Sequence, residues 1–580
     1  MYNSNYDKYP FIEVYGHDQD AVIGYEQICA KINKKLNNSG VLVIDCYHSV
    51  RVNEIVSGLR KHLNIDEVIF SDDLAFDADK INDIIDRNLT DDRVFGLMSH
   101  HQMNEFFDDE KLKRAKKYAN EFHDGILLII GVGASLITDK GVLVYADLAR
   151  WEIQKRIRSQ EIGNWKQNNQ SEDFLRKYKR CYFVEWRVAD RHKQRLFERI
   201  DFLLDTNDQD TPKMITKAAL FEGLNTVVKR PFRLVPLFDP GVWGGQWMKE
   251  VCDLDQQQAN YAWCFDCIPE ENSLILKYGD IKIEIPAIDL VLLKAKELLG
   301  NGVHARFGNE FPIRFDLLDT IKGQNLSLQV HPLTEYIQEM FGMHYTQDES
   351  YYILDAKEDA CVYLGVKSGI DKECFLTDLE RSQNSQVDFN ADFYINKIPA
   401  KKHDHFLIPA GTIHCSGANT MVLEISATPY IFTFKLWDWG RLGLDGLPRP
   451  IHLEHAKHVI QFDRDTKWVN DNLVDQVELL KNDRFCKEER TGLHQREFIE
   501  TRRHWFTREV VHYTNGSVNV LNLIEGKEAI VESVDDSFEP FIVHYAETFI
   551  IPEAVKAYRI RPHGESDGKQ IATIKAYVRL

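Results

Sequence analysis

The sequence predicts two architectures in tandem, an α/β domain over residues 1–230 and then an all-β region interrupted by one helical insertion. The first reading rests on short apolar runs that alternate with helix-spaced segments. The second rests on the short strand-like runs, broken by Gly, Asn and Pro, that take over after Lys229-Arg-Pro-Phe-Arg233. Length is the third observation: 580 residues exceed what one hydrophobic core supports.

In the first domain, Gly40-Val-Leu-Val-Ile-Asp45 reads as a buried strand, and residues 53–63 follow at helical spacing. Residues 125–131 and 141–145 are apolar without alternation, as in a parallel sheet covered on both faces. Residues 148–162 read as a charged helix, and Arg180-Cys-Tyr-Phe-Val-Glu-Trp186 as an extended segment. The strand, turn and helix of residues 41–63 resemble the nucleoside and uridine kinase branch of the P-loop fold. A phosphate loop there needs glycines, then a Lys and a Ser or Thr. Asp45-Cys-Tyr-His-Ser-Val-Arg-Val-Asn53 has no glycine, no lysine and no hydroxyl after Arg51. The expectation is a degenerate P-loop-kinase-like domain, kept as a scaffold, an oligomerisation module or a sugar-phosphate sensor.

The all-β region opens at Pro236-Leu-Phe-Asp-Pro-Gly-Val-Trp-Gly-Gly-Gln246 and divides into residues 231–450, a helical insertion at 451–485, and residues 486–580. In the last part, residues 518–526 and 547–553 repeat a cadence of strand, Gly turn and strand ending in Pro.

The densest chemistry lies between Asn325 and Arg441. Gln329 and His331 are two apart in Leu326-Ser-Leu-Gln-Val-His-Pro332, which puts both on one face of a strand. Glu349 precedes the strand-like Tyr351-Tyr-Ile-Leu354, and His414 ends Phe406-Leu-Ile-Pro-Ala-Gly-Thr-Ile-His414. Two imidazoles, a carboxylate and an amide oxygen make an N/O set that suits zinc, with room for a substrate oxygen.

Ser327-x-Gln329-x-His331-Pro332, Glu349 before a Tyr-rich strand, Pro-Ala-Gly-Thr-x-His414 and Trp437-Asp-Trp-Gly-Arg441 together resemble the type I mannose-6-phosphate isomerases, over residues 232–580. The resemblance implies a double cupin of jelly-roll barrels, a catalytic one over 231–450 and a metal-free one over 486–580. It implies one zinc per chain on Gln329, His331, Glu349 and His414. It also implies interconversion of mannose 6-phosphate and fructose 6-phosphate through an enediolate, whose charge needs a placed cation. Arg441 takes that catalytic place, and Glu424 is the candidate base, its alternative being a strand carboxylate paired with Arg441 or Lys435. Ser327, Gln347 and Lys435 fall at substrate-binding positions. Gln347 stands where a lysine is usual, and Lys435 where an arginine is common, so the substrate is that phosphosugar, a different one, or an unphosphorylated sugar. A non-catalytic zinc-cupin sensor of sugars or sugar phosphates is the rival reading. A bifunctional kinase–isomerase fails at the glycine-free loop.

The net charge of −19 argues against nucleic acid and against an anionic membrane as partner. The first residues lack the basic and apolar regions of a signal peptide, and no apolar run reaches membrane-spanning length. Ten scattered cysteines fit a reducing compartment, so a cytoplasmic protein is expected, with self-association left open. Cys264-Phe-Asp-Cys267 lacks the second pair of a zinc knuckle, leaving a redox or a packing role.

Overall fold

The computed structural model describes all residues except 1–3, 38, 385–386, 429–431, 493 and 495–496. It divides into two compact units. One comprises Phe11–Thr226 and Ser273–Leu293; the other comprises Met1–Pro10, Val227–Asn272 and Lys294–Leu580.

The first unit is built on a seven-stranded sheet in the order Ala21–Ile23, Lys213–Thr216, Phe202–Asp205, Val142–Asp147, Gly40–Cys46, Ile126–Gly131 and Ile65–Phe70. The last five are parallel; Lys213–Thr216 and Ala21–Ile23 add antiparallel pairings at one side. The sheet is therefore mixed rather than parallel throughout. Leu42, Ile44, Leu128, Ile130 and Val144 form its core with Ile28, Ile32 and Leu36. The last three recur every four residues along helix Tyr25–Leu36, which ends at Asn37 in the left-handed conformation.

Residues 180–186 are not extended. They are helical, with a π-helical turn at Cys181–Glu185 between helices Phe174–Arg180 and Trp186–Leu196. A short, wholly buried apolar run carries no periodicity that separates strand from helix, and here helix on both sides decides it.

In the second unit, four antiparallel sheets form two pairs. The first pair joins a six-stranded sheet (His405–Ile408, Glu349–Ala356, Thr420–Ser426, Arg314–Asp319, Trp263–Phe265, Leu237–Asp239) to a five-stranded sheet (Ile395–Pro399, Cys361–Val366, His414–Ser416, Leu328–Val330, Phe434–Trp437). Helices Leu453–Ala456 and Thr466–Asn472 follow. The second pair runs from Glu478–Asn482 to Ile571–Val578, with Phe506, Leu521 and Leu523 of its six-stranded sheet packed against Val531, Val543 and Ile560 of its four-stranded one. No helix of the described residues is long and apolar enough to cross a membrane.

One buried ion cluster braces the first unit. Lys193, fully buried, lies 2.8 Å from Asp147 and 2.7 Å from Asp289. Burial pushes the Asp289 carboxyl well up, and Lys193 opposes that push. Removing the cation leaves two buried carboxylates without compensation. Lys193→Met is therefore expected to destabilise the chain by about 3–5 kcal/mol in urea unfolding, and a loss within error of zero would refute the bracing role.

Candidate metal centre and substrate cavity

Each candidate ligand arrives on a different strand. Glu349 begins Glu349–Ala356 in the six-stranded sheet, and His414 begins His414–Ser416 in the five-stranded one. Gln329, central in Leu328–Val330, pairs directly with His414 across the ladder. His331 follows immediately, on the same face as Gln329. All four are buried, and the histidines and Glu349 are wholly inaccessible.

One ligand atom each from His331, Glu349 and His414 lie within 4.8 Å of one another. His414 Nε2 is 2.7 Å from one Glu349 oxygen, and His331 Nε2 is 3.1 Å from the other. From behind, His331 Nδ1 is 2.9 Å from the Phe432 carbonyl, and His414 Nδ1 is 2.9 Å from the Thr412 carbonyl. Carbonyls only accept, so each Nδ1 carries the ring proton and donates it. In its neutral form each ring then presents a bare Nε2 to a carboxylate that also only accepts. Such a set is satisfied by a cation. Two nitrogens and a carboxylate fit zinc, and the backbone carbonyls behind the rings are the supports that metal-binding histidines use. The Gln329 amide nitrogen is 3.2 Å from His414 Nε2. Half a turn of that amide brings its oxygen to the same place.

Burial raises the Glu349 carboxyl, but His331 and His414 outweigh it and hold it well below the carboxylate range. Burial disfavours charge on His331, yet Glu349 lifts its pKa above the ordinary value.

Beside this cluster lies a cavity of about 250 Å³, whose walls include Ser327, Gln329, Gln347, Glu424 and Lys435. Gln347 ties the two together. Its amide nitrogen donates to Glu349 at 2.9 Å and to Glu424 at 3.3 Å, and its oxygen accepts from the Phe432 N–H at 2.8 Å. Glu424 also accepts from Ser426, so its hydrogen bonds run to Gln347 and Ser426 rather than to Arg441 or Lys435. Burial pushes the Glu424 carboxyl well up, and the charges of Glu349 and Asp316 push it further.

Arg441 is not brought to the cavity wall. Its guanidinium holds Asp438 and donates to the Asn325 carbonyl at 2.7 Å. Asp438 in turn accepts from Ser327 at 2.7 Å and pairs with Arg449, which does line the cavity. Sequence reading missed Arg449, whose one signal is its place between Pro448 and Pro450. It also gave no role to Asp438, although that residue sits inside the Trp437–Arg441 motif. Cys264 and Cys267 are fully buried free thiols whose pKa burial pushes well up, which suits packing rather than redox chemistry.

Comparison with known proteins finds two kinds of similarity. Residues 24–229 match the family model "Domain of unknown function (DUF8485)". The chain is 29% identical over 232 residues to the probable mannose-6-phosphate isomerase GmuF of Bacillus subtilis (strain 168), spanning 40% of this chain and 68% of that protein. It is 25% identical over 232 residues, with the same coverage, to the mannose-6-phosphate isomerase ManA of that organism. Among solved structures, the mannose 6-phosphate isomerase from Bacillus subtilis aligns with a TM-score of 0.48 at 20% identity, covering 60% of this chain and 99% of that one. The resemblance to type I mannose-6-phosphate isomerases, first seen in scattered motifs, thus extends over two-fifths of the chain.

The bare-acceptor cluster makes metal content the direct test. Purified protein reconstituted with zinc and dialysed is expected to retain about one ion per chain by elemental analysis. His331→Ala and His414→Ala are expected to lose it. Equal retention in the variants would exclude this cluster as the site.

Proposed function

We propose that the protein is a zinc-dependent aldose–ketose isomerase of the mannose-6-phosphate isomerase type. It interconverts mannose 6-phosphate and fructose 6-phosphate, or a related sugar, through an enediol. One observation carries the reading: a buried cluster of two bare imidazoles and a carboxylate is coupled, through the amides of Gln329 and Gln347, to a cavity bearing a second carboxyl, Glu424. The catalytic cupin, expected over 231–450, would take residues 231–272 and 294–450, because 273–293 belong to the first unit; the helical insertion, expected over 451–485, would end before strand Glu478–Asn482, where the metal-free cupin would begin.

Gln329, His331, Glu349 and His414 would hold one zinc per chain, which when bound supplies a Lewis acid for the oxygens at C1 and C2. Glu424 is the proton carrier between those carbons. Its burial keeps bulk water from exchanging the proton during transfer, and Gln347 and Ser426 fix the direction of its oxygens. Ser327, Gln347 and Lys435 orient the sugar. Arg441 answers the developing negative charge by steadying Asp438, which positions Ser327 and Arg449 on the wall.

One observation favours the sensor reading. Gln347 brings no charge to a position where a lysine would make a stronger, charge-assisted phosphate bond, and its amide is already committed to Glu349, Glu424 and Phe432. For the amino-terminal unit we retain the degenerate P-loop-kinase-like scaffold: Arg51 is engaged by Glu161 through bonds of 2.6 and 2.9 Å.

An assay of fructose 6-phosphate formation from mannose 6-phosphate tests the reading. Activity should vanish on chelation and return with zinc. Glu424→Gln should lower kcat by about 10²–10⁴-fold while zinc content stays at the wild-type level, and Arg441→Ala should lower kcat with partial rescue by Arg441→Lys. Turnover that survives chelation would overturn the mechanism. Sugar-phosphate binding without turnover on any phosphosugar would establish the sensor.

A further inference from the structure

The six-stranded sheet of the last barrel ends in an edge strand, Glu478–Asn482, all five residues of which are exposed. Leu479 and Leu480 are 54% and 38% exposed. An edge of this kind offers unpaired backbone N–H and C=O groups to another strand.

The register on its inner side fixes where its side chains stand. Glu478 faces Arg490, Leu479 faces Glu489 and Lys481 faces Glu488, with an irregularity between Leu479 and Lys481. That irregularity is a bulge, so Leu479 and Leu480 both stand opposite Glu489. Glu488 and Arg490 flank Glu489 on the opposite face of their strand, which places Glu478 and Lys481 together on that opposite face. Within the chain, Glu478 is paired with Arg490, and Lys481 lies 2.9 Å from Asp483.

We propose that this strand is a self-complementary edge through which two copies of the chain associate about a two-fold axis. Antiparallel pairing centred between Leu479 and Leu480 sets Glu478 of one copy across from Lys481 of the other, and the reverse. Each cross-sheet row then reads Arg490, Glu478, Lys481, Glu488, with the second pair drawn from the partner copy, and its charges alternate throughout. On the other face, the two leucines of each copy meet as a cluster of four, leaving water together. A second copy is favoured over an unrelated strand because an edge lysine deters indiscriminate pairing, whereas this partner brings the matching glutamate. The area involved is that of one short strand, so the association belongs to the weak, concentration-dependent class.

Sedimentation velocity over a concentration series provides the test, using the full chain. Wild-type protein is expected to shift from the chain mass towards twice that mass as concentration rises. Glu478→Lys makes both positions basic and Lys481→Glu makes both acidic, so each variant alone should self-associate at least tenfold more weakly. An equimolar mixture of the two should associate more tightly than either variant alone, since every pair across the interface is again Lys to Glu. Both residues are exposed, and far-UV circular dichroism will verify that each variant is folded. Wild-type protein that stays monomeric throughout, variants that associate as wild type does, or a mixture that associates no more tightly than either variant alone would each overturn the proposal.

Discussion

The arrangement of the first sheet pair of the second unit turns on a shortage of protons. Two ring nitrogens and a carboxylate are brought together with no access to solvent, while the donor end of each imidazole is spent on a backbone carbonyl. Apart from the amides of Gln329 and Gln347, buried acceptors facing one another lose the hydrogen bonds of water and gain none from each other. Such a cluster persists when something positive sits within it, or when both rings take up a second proton. Carbonyls behind the rings fix a proton on each Nδ1 and aim each Nε2 inward, the orientation a metal requires.

Sheet register carries that requirement outward. Glu349 pairs with Ser426, and Tyr351 with Glu424, along one side of strand Thr420–Ser426; Asp316 pairs with Glu424 along the other. Glu424 is thus held in a cross-strand row between Asp316 and Tyr351, two residues from the strand position that faces Glu349. Period-two alternation puts Glu349 and Tyr351 on one face of their strand, so the carboxylates of Glu349 and Glu424 share a wall by construction. Burial, reinforced by the charges of Glu349 and Asp316, drives Glu424 towards its neutral form, while the imidazoles hold Glu349 charged against its own burial. Gln347 is the natural bridge, since one amide nitrogen can donate to both oxygens at once.

What could be read from the sequence follows from how local each signal is. Buried strands of the α/β unit were legible as uninterrupted apolar runs, and Gln329 and His331 as a pair, because both depend on near neighbours in the chain. The convergence of Glu349 and His414 with them depends on ladders between segments some sixty to eighty residues apart, and only the ordered motifs of a known family hinted at it. The π-helical turn at Cys181–Glu185 was misread because a fully buried segment has no polar face to reveal its period. Arg449 and the bracing of Asp438 were invisible for another reason: a loop residue announces its partners only when the fold brings them near.

Asp438 shows how the cavity wall is kept charged without being left bare. Two guanidiniums converge on one carboxylate, so the group carries net positive charge, and Ser327 is drawn into the same node. Arginine stays protonated across the accessible pH range, so the wall's charge does not depend on titration. An anionic substrate group approaching Arg449 competes with Asp438 for it, and Arg441 can then take more of the carboxylate. On the proposed function, the arginine set back from the cavity would act as the counterweight that lets the arginine facing it change partners. On that proposal, Arg441 would act from one side chain away from the cavity, through Asp438 and Arg449, rather than by facing the sugar itself.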